Sequence, residues 1–185
     1  PAAARNRGAK ESRHDIILFV GDDTIPHRNL IFRHYYNHIR DGRDKIVQGY
    51  TPWHPDVAGS IFQQFLNESG LQAGWNSLKD KEGNWAYEIS PNFCLTTNYS
   101  ISKRLFDNLG GFNESFSKAA WEDIELGYRA NRHQLPAVFD SGAVNYHHHR
   151  YTFGDFIKRQ KTEGYWRTQL CLLHPEATGS LLSPK

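Results

Sequence analysis

Apolar and polar positions along the chain fall into two alternating periods. Residues 1–13 (PAAARNRGAKESR) are polar and alanine-rich and predict a helix with a frayed entry. Asp15-Ile16-Ile17-Leu18-Phe19-Val20 follows, a short apolar run closed by Gly21-Asp22-Asp23. Its length and β-branched content predict a buried strand of a parallel sheet. From Asn29 to Arg40, apolar and aromatic residues at 30, 31, 35, 36 and 39 give a stripe of helical spacing, which Asp41-Gly42 stops. Lys45 to Tyr50 reads as a second strand.

The middle of the chain is less regular. Thr51 to Pro55 reads as a loop, Ile61 to Asn67 as a short helix, and residues 69–84 as a loop rich in Gly and Asn. Phe93 to Thr97 predicts a strand. Ser102 caps a helix running to Leu109, and Gly110-Gly111 ends it. Trp121-Glu122-Asp123 opens a helix that reaches Arg132, Ala137 to Asp140 and Ala143 to His147 read as short strands, and Phe153 to Leu173 as a helix. Strands alternating with helices predict an α/β domain with a mostly parallel sheet flanked by helices, over residues 1–174, with a loose tail at 175–185.

Composition narrows the function classes. A chain of 185 residues can bury one real core, and 14% aromatic residues argue against disorder. Lys and Arg (22) nearly cancel Asp and Glu (20), so no polyanion-binding surface and no nucleic-acid partner is expected. No apolar run approaches the ~20 residues that span a bilayer, and no transmembrane segment is predicted. Cys94 and Cys171 lie far apart in no metal-type spacing, which predicts free thiols, a reduced cytoplasmic setting and no structural zinc. The sequence opens at Pro1 and contains no methionine, so a piece of a longer parent is expected, one whose other parts could hold it at a membrane surface.

Four groups of residues could carry chemistry. Gly21-Asp22-Asp23-Thr24 follows a buried strand, where open α/β sheets bind ligands; its carboxylates suit Mg²⁺ or Mn²⁺, and the same residues make a good turn. Glu122-Asp123 opens a helix, where the helix dipole favours acids whether or not they react. As a general base, one of them would feel its neighbour raise its pKa and the helix end lower it. Glu125 and Arg129 are spaced for an ion pair. If His147-His148-His149 is extended, His147 and His149 share one face and His148 takes the other. Arg159, Gln160, Gly164 and Arg167 lie on the last helix, where arginines either bind phosphate or sit in solvent.

Taken in order, these pieces resemble an inverting glycosyltransferase of family 2 with the GT-A fold. The resemblance rests on Ala4-Arg5-Asn6 with Gly8, Ile17 to Asp23, Asn98 to Phe112, Trp121 to Arg129, Tyr146-His147 and the helix from Arg159 to Gly164, and extends to about residue 174. It implies a GT-A-like, Rossmann-like domain lacking the N-terminal strands that bind the base and ribose. It also implies a nucleotide-diphosphate-sugar donor, a glycan or other hydroxyl acceptor, and Mn²⁺ or Mg²⁺. Asp23 matches the metal-binding acid, with Asp22 beside it, and His147 matches a histidine that completes the metal or diphosphate site. Gly21 stands where the family usually has its first Asp. Asp123 matches the catalytic base, with Glu122 next to it. Arg5, Asn6 and Arg159 match donor-side positions, and Trp121 and Arg129 fall on the acceptor side. The resemblance thus implies that Asp123 deprotonates an acceptor hydroxyl, which displaces the nucleotide diphosphate with inversion at the anomeric carbon.

Two other classes compete. Asp22, Asp23, Glu122, Asp123 and His147 could build a two-metal phosphodiesterase or phosphatase. A carbohydrate-binding module would instead stack sugar rings on Trp53, Trp75, Trp85, Trp121 and Trp166.

Overall fold

A computed structural model describes residues 1–177 and 179 of the chain. The elements run α1 (Ala2–Glu11), β1 (Ile16–Val20), β2 (Thr24–Pro26), α2 (Leu30–Ile39), β3 (Ile46–Tyr50), α3 (Pro55–Ala58) and α4 (Ile61–Glu68). After two short 3₁₀ turns come β4 (Asn98–Ser102), α5 (Lys103–Asn108), α6 (Glu122–Arg132), β5 (Ala137–His147) and α7 (Phe153–Leu173). The predicted tail falls mostly outside the described residues.

The expected alternation of strands and helices is present, but the sheet is mostly antiparallel. Its strand order is β1-β4-β3-β5-β2, and only β3 and β5 run parallel. The chain between β3 and β4 crosses α3, α4 and two 3₁₀ turns, and this long excursion lets β4 enter between β1 and β3 against both. The strand expected at Phe93–Thr97 is displaced. Ser90 and Pro91 start a 3₁₀ turn there, and pairing begins only at Asn98. The two strands expected around Ser141-Gly142 are one strand, with a register shift against β3 at Gly49/Tyr50.

Pleating divides β4 between two environments. Tyr99 and Ile101 join Ile17, Phe19 and Ile46 in an apolar core closed by Ala2 and Ala9 of α1, Leu105 and Phe106 of α5, and Leu126 and Ala130 of α6. Phe19 lies 5.1–6.1 Å from the rings of Tyr99, Phe106 and Phe112. Asn98 and Ser100 point the other way, toward α2. The Asn98 amide donates to the carbonyls of Tyr50 and Ala143 at 3.1 and 2.7 Å, so its oxygen accepts from His34 Nε2 at 2.8 Å. His34 Nδ1 must then accept from the Ser100 hydroxyl at 2.7 Å, and Ser100 accepts from His38 Nε2 at 2.9 Å. One orientation of each group satisfies the whole chain. Gly49 makes room for it: a Cβ there would lie 2.3 Å from the Asn98 amide nitrogen.

Helix α2 is thus turned against the usual rule. Leu30, His34 and Asn37 are buried, while Ile31, Phe32, Tyr35, Tyr36 and Ile39 face outward. A second cluster joins α6 to α7 through Phe116, Trp121, Ile124, Trp166 and Leu170.

Candidate functional site

The carboxyl end of β1, the end of β5, the start of α6 and one side of α7 surround a cleft of about 770 Å³. Asp22, Asp23 and His147 line one wall and Glu122, Asp123 and Arg5 another; Arg159 and Trp121 complete the rim. Elements distant in sequence therefore meet in one concavity.

The first wall is fixed through its backbone. Thr24 Oγ1 donates to the Gly21 carbonyl at 2.7 Å, and the Asn145 amide reaches Thr24 Oγ1 at 2.8 Å and the Thr97 carbonyl at 2.7 Å. Strand β2 pairs Thr24 with His147. That register brings His147 Nε2 to 3.0 Å from Asp23 Oδ2, while His149 Nδ1 lies 3.9 Å from the same oxygen. Burial lowers the pKa of His147, although Asp23 pulls it up. Trp53 stacks flat on the His147 ring, 4.8 Å between centroids and 13° between planes. One carboxylate oxygen with an imidazole nitrogen on either flank, and the exposed Asp22 alongside, is a donor set that Mn²⁺ accepts at least as readily as Mg²⁺.

The second wall depends on how α6 begins. Trp121 holds a left-handed backbone (φ 71°), uncommon for a residue with a bulky side chain, and this turn starts the helix at Glu122. Gly127 lets the helix lie against the segment before β4, because a Cβ there would meet the Cys94 side chain at 2.9 Å. Close approach brings Asp123 Oδ2 within 3.0 Å of the Thr96 amide and 3.1 Å of its hydroxyl, and both donate. Glu122 is 2% exposed. One of its oxygens pairs with Arg5, and the other has no partner among the described residues. Burial and the charge of Asp123 push its pKa up to about 7, against the opposing pull of Arg5.

Two of the sequence candidates lie elsewhere. Asn6 does not line the cleft. Its side chain bonds both the amide and the carbonyl of Phe112 at 2.9 Å, bracing the turn after Gly110-Gly111. Arg129 grips Glu125 and the carbonyls of Leu109 and Gly111, tying α6 to that same turn. Arg159 lines the cleft and pairs with Glu163 at 2.8 Å. Of the tryptophans, Trp53, Trp75 and Trp121 have atoms at the cleft, although Trp75 also packs on Phe139 and Trp121 on the α6–α7 cluster; Trp85, against Phe139, and Trp166, within that cluster, do not line it. Thr96, which orients Asp123, was not singled out from the sequence. A polar pair closing the apolar run Phe93-Cys94-Leu95 was the available signal.

The family model described as "Glycosyl transferase family 2" matches residues 1–110, more than half of the chain. Two curated proteins named validoxylamine A glucosyltransferase are each 26% identical to it over an alignment of 152 residues that covers 73% of this chain. One is from Streptomyces hygroscopicus subsp. jinggangensis and the other from S. hygroscopicus subsp. limoneus, and the match covers 36% and 33% of their respective lengths. The chain spans about a third of the curated relatives it matches.

Proposed function

Since the chain belongs to glycosyl transferase family 2, we propose that its cleft transfers a sugar from a nucleotide-diphosphate-sugar donor to an acceptor hydroxyl, with inversion at the anomeric carbon. The observation that supports this most directly is the meeting of the Asp23–His147 wall and the Glu122–Asp123 wall across one cleft. In this reading the donor diphosphate lies toward Asp22, Asp23 and His147, and the acceptor toward Asp123 and Trp121.

Asp123 serves as the general base. Thr96 fixes one of its oxygens through two donated hydrogen bonds, which turns the carboxylate without consuming all its lone pairs. Glu122, with its pKa near 7, takes up a proton more readily than an ordinary carboxylic acid and so limits the negative charge beside the base. Arg5 holds it in place. Arg159, its side chain about half exposed, offers a guanidinium toward the diphosphate, and Glu163, Tyr151 and Asp123 favour its charged form. Trp53 keeps the His147 ring from swinging away from Asp23.

Asp23, Asp22 and His147 would hold a divalent cation, Mn²⁺ or Mg²⁺. Such an ion supplies positive charge opposite the charge gathering on the departing diphosphate. Both relatives are named glucosyltransferases, so nucleotide-diphosphate glucose is the first donor to try.

The test is transfer, read by product mass, from a panel of nucleotide sugars to hydroxyl acceptors with Mn²⁺ present. Asp123→Asn should lower turnover by roughly 10²–10⁴-fold with the circular dichroism spectrum unchanged. Full turnover in Asp123→Asn would remove this residue from the chemistry. Cleavage of a chromogenic phosphodiester without sugar transfer would favour a phosphodiesterase instead.

A further inference from the structure

Behind the cleft wall lies a second group of metal-type ligands that the sugar-transfer reading does not use. The segment Pro52–His54 runs alongside the end of β5. The His147 amide donates to the Pro52 carbonyl at 2.8 Å, and the His54 amide to the His147 carbonyl at 2.9 Å. Next along, the His148 amide donates to the Asp23 carbonyl at 2.8 Å. In extended backbone held this way, successive side chains take opposite sides. Trp53 and His147 stack on the cleft side. His54 packs edge-on against Tyr146 and against His148, its ring 5.1 Å from that of His148. None of these last three lines the cleft.

Asp56 completes the outer group. His54 caps the short helix α3, its Nδ1 accepting from the Asp56 amide at 3.3 Å, and this brings the Asp56 carboxylate to 3.5 Å from the same nitrogen. One ligand atom from each of His54, Asp56 and His148 lies within 4.8 Å of the others. Tetrahedral bonds of about 2.0–2.2 Å set ligand atoms about 3.4 Å apart. The His54 Nδ1–Asp56 pair already has that separation, an ion there taking over the Nδ1 lone pair that now accepts the Asp56 amide, and closing on His148 takes up to about 1.4 Å. Asp56, whose side chain is 71% exposed, is free to turn toward an incoming ion.

We propose that His54, Asp56 and His148 form a site for a divalent transition-metal ion, with Zn²⁺ as the best match and water in the remaining position. Two imidazoles and one carboxylate favour zinc over the hard cations that an Asp22–Asp23 wall would take. Because His54 and His148 flank Trp53 and His147 in sequence, an ion there would clamp the strand end and the neighbouring loop together from behind. The site would stiffen the cleft wall without entering the cleft. This inference does not depend on sugar transfer.

Zinc binding to the purified chain, measured by calorimetry and by competition with a chromogenic chelator, tests it. The Asp23→Asn background removes the cleft carboxylate that lies beside His147 and His149. One equivalent of Zn²⁺ should bind there, and Co²⁺ in its place should give visible bands of a four-coordinate site. His148→Ala and Asp56→Ala should each weaken binding at least about tenfold. Asp56→Ala changes an exposed side chain, so it remains informative even if His148→Ala fails to fold. Unchanged affinity in Asp56→Ala would overturn the proposal, as would no zinc bound in the Asp23→Asn background.

Discussion

The two faces of the sheet bury ionisable groups in opposite ways. Under α2, the buried polar groups answer one another: His34, Ser100, His38 and Asn98 form one directed chain. Asp140 joins that layer by receiving the Arg33 guanidinium, the Asn37 amide and the Gly142 amide. Its pKa is lowered, because these donors outweigh the burial that pushes it up. On the face covered by α6 the layer is mostly apolar, broken by Gln48 and by the Tyr99 hydroxyl, which has no partner among the described residues, and the helix's acids gather in its first turn. There Glu122 has one oxygen unanswered, and burial raises its pKa to about 7. A buried carboxylate with all its donors in place is a structural part. One left partly unanswered, beside a second carboxylate and a cleft, is the kind of group on which the proposed sugar transfer rests.

Removing the structural carboxylate is expected to have the largest effect on stability. Asp140→Ala leaves Arg33 and Asn37 without their acceptor and should cost about 3 kcal/mol. That lies at the low end for a broken buried pair because the Arg33 side chain is 43% exposed. Urea denaturation followed by tryptophan fluorescence measures it. Glu122→Gln should act with the opposite sign. The folded protein holds the Glu122 proton up to about pH 7, whereas the unfolded chain releases it near 4.5. Stability contributed by the neutral acid is therefore lost as pH rises from 4.5 to 7, by roughly 2–3 kcal/mol. Glu122→Gln should remove that decline and be the more stable protein at pH 8. A loss of stability at pH 8 would mean that the pair with Arg5 outweighs burial.

The polar face supplies the reverse slope. Burial, with help from His34 and Lys45, lowers the His38 pKa from 6.5 to about 4. As pH falls below 6.5 the unfolded chain takes the proton first, so stability contributed by neutral His38 is lost between 6.5 and 4. Part of the ring meets solvent, which limits the loss to roughly 1–2 kcal/mol. His38→Gln keeps a donor for Ser100 and should remove this slope, leaving the Glu122 decline between about 4.5 and 7 unopposed. Because the two slopes oppose each other across an overlapping pH range, the unaltered protein should show a shallower pH dependence than either single variant.

The two faces were also unequally legible from the sequence. Period and capping located α6 and β1, and with them Asp23 and the Glu122-Asp123 pair, because those elements follow ordinary rules: an apolar run with a turn after it, and acids at a helix start. Strand direction carries no such mark, since a two-residue period reads the same both ways, and so the antiparallel β4 was not foreseen. Nor was its position. Asn98-Tyr99-Ser100-Ile101-Ser102 is a strand whose polar residues are buried against histidines, whereas Phe93–Thr97 has the more apolar, strand-like composition. Asn6 and Arg129 looked like site residues because they sit within site motifs; only the fold shows them bracing one turn from two helices.

The last asymmetry concerns α2 itself. An apolar stripe ordinarily faces the core, yet here Phe32 is 64% exposed and stacks on the outward Tyr36, 6.1 Å between ring centroids. If the helix is held by its polar face, the outer stripe contributes little to folding. Phe32→Ser should then shift stability by no more than about 0.5 kcal/mol, the smallest change among these variants, and should leave both pH slopes in place. Thermal unfolding at several protein concentrations reads this directly. A loss above about 1.5 kcal/mol that grows with concentration would mean that the stripe is covered in solution. The polar layer would then share with a partner the task of holding α2 against the sheet.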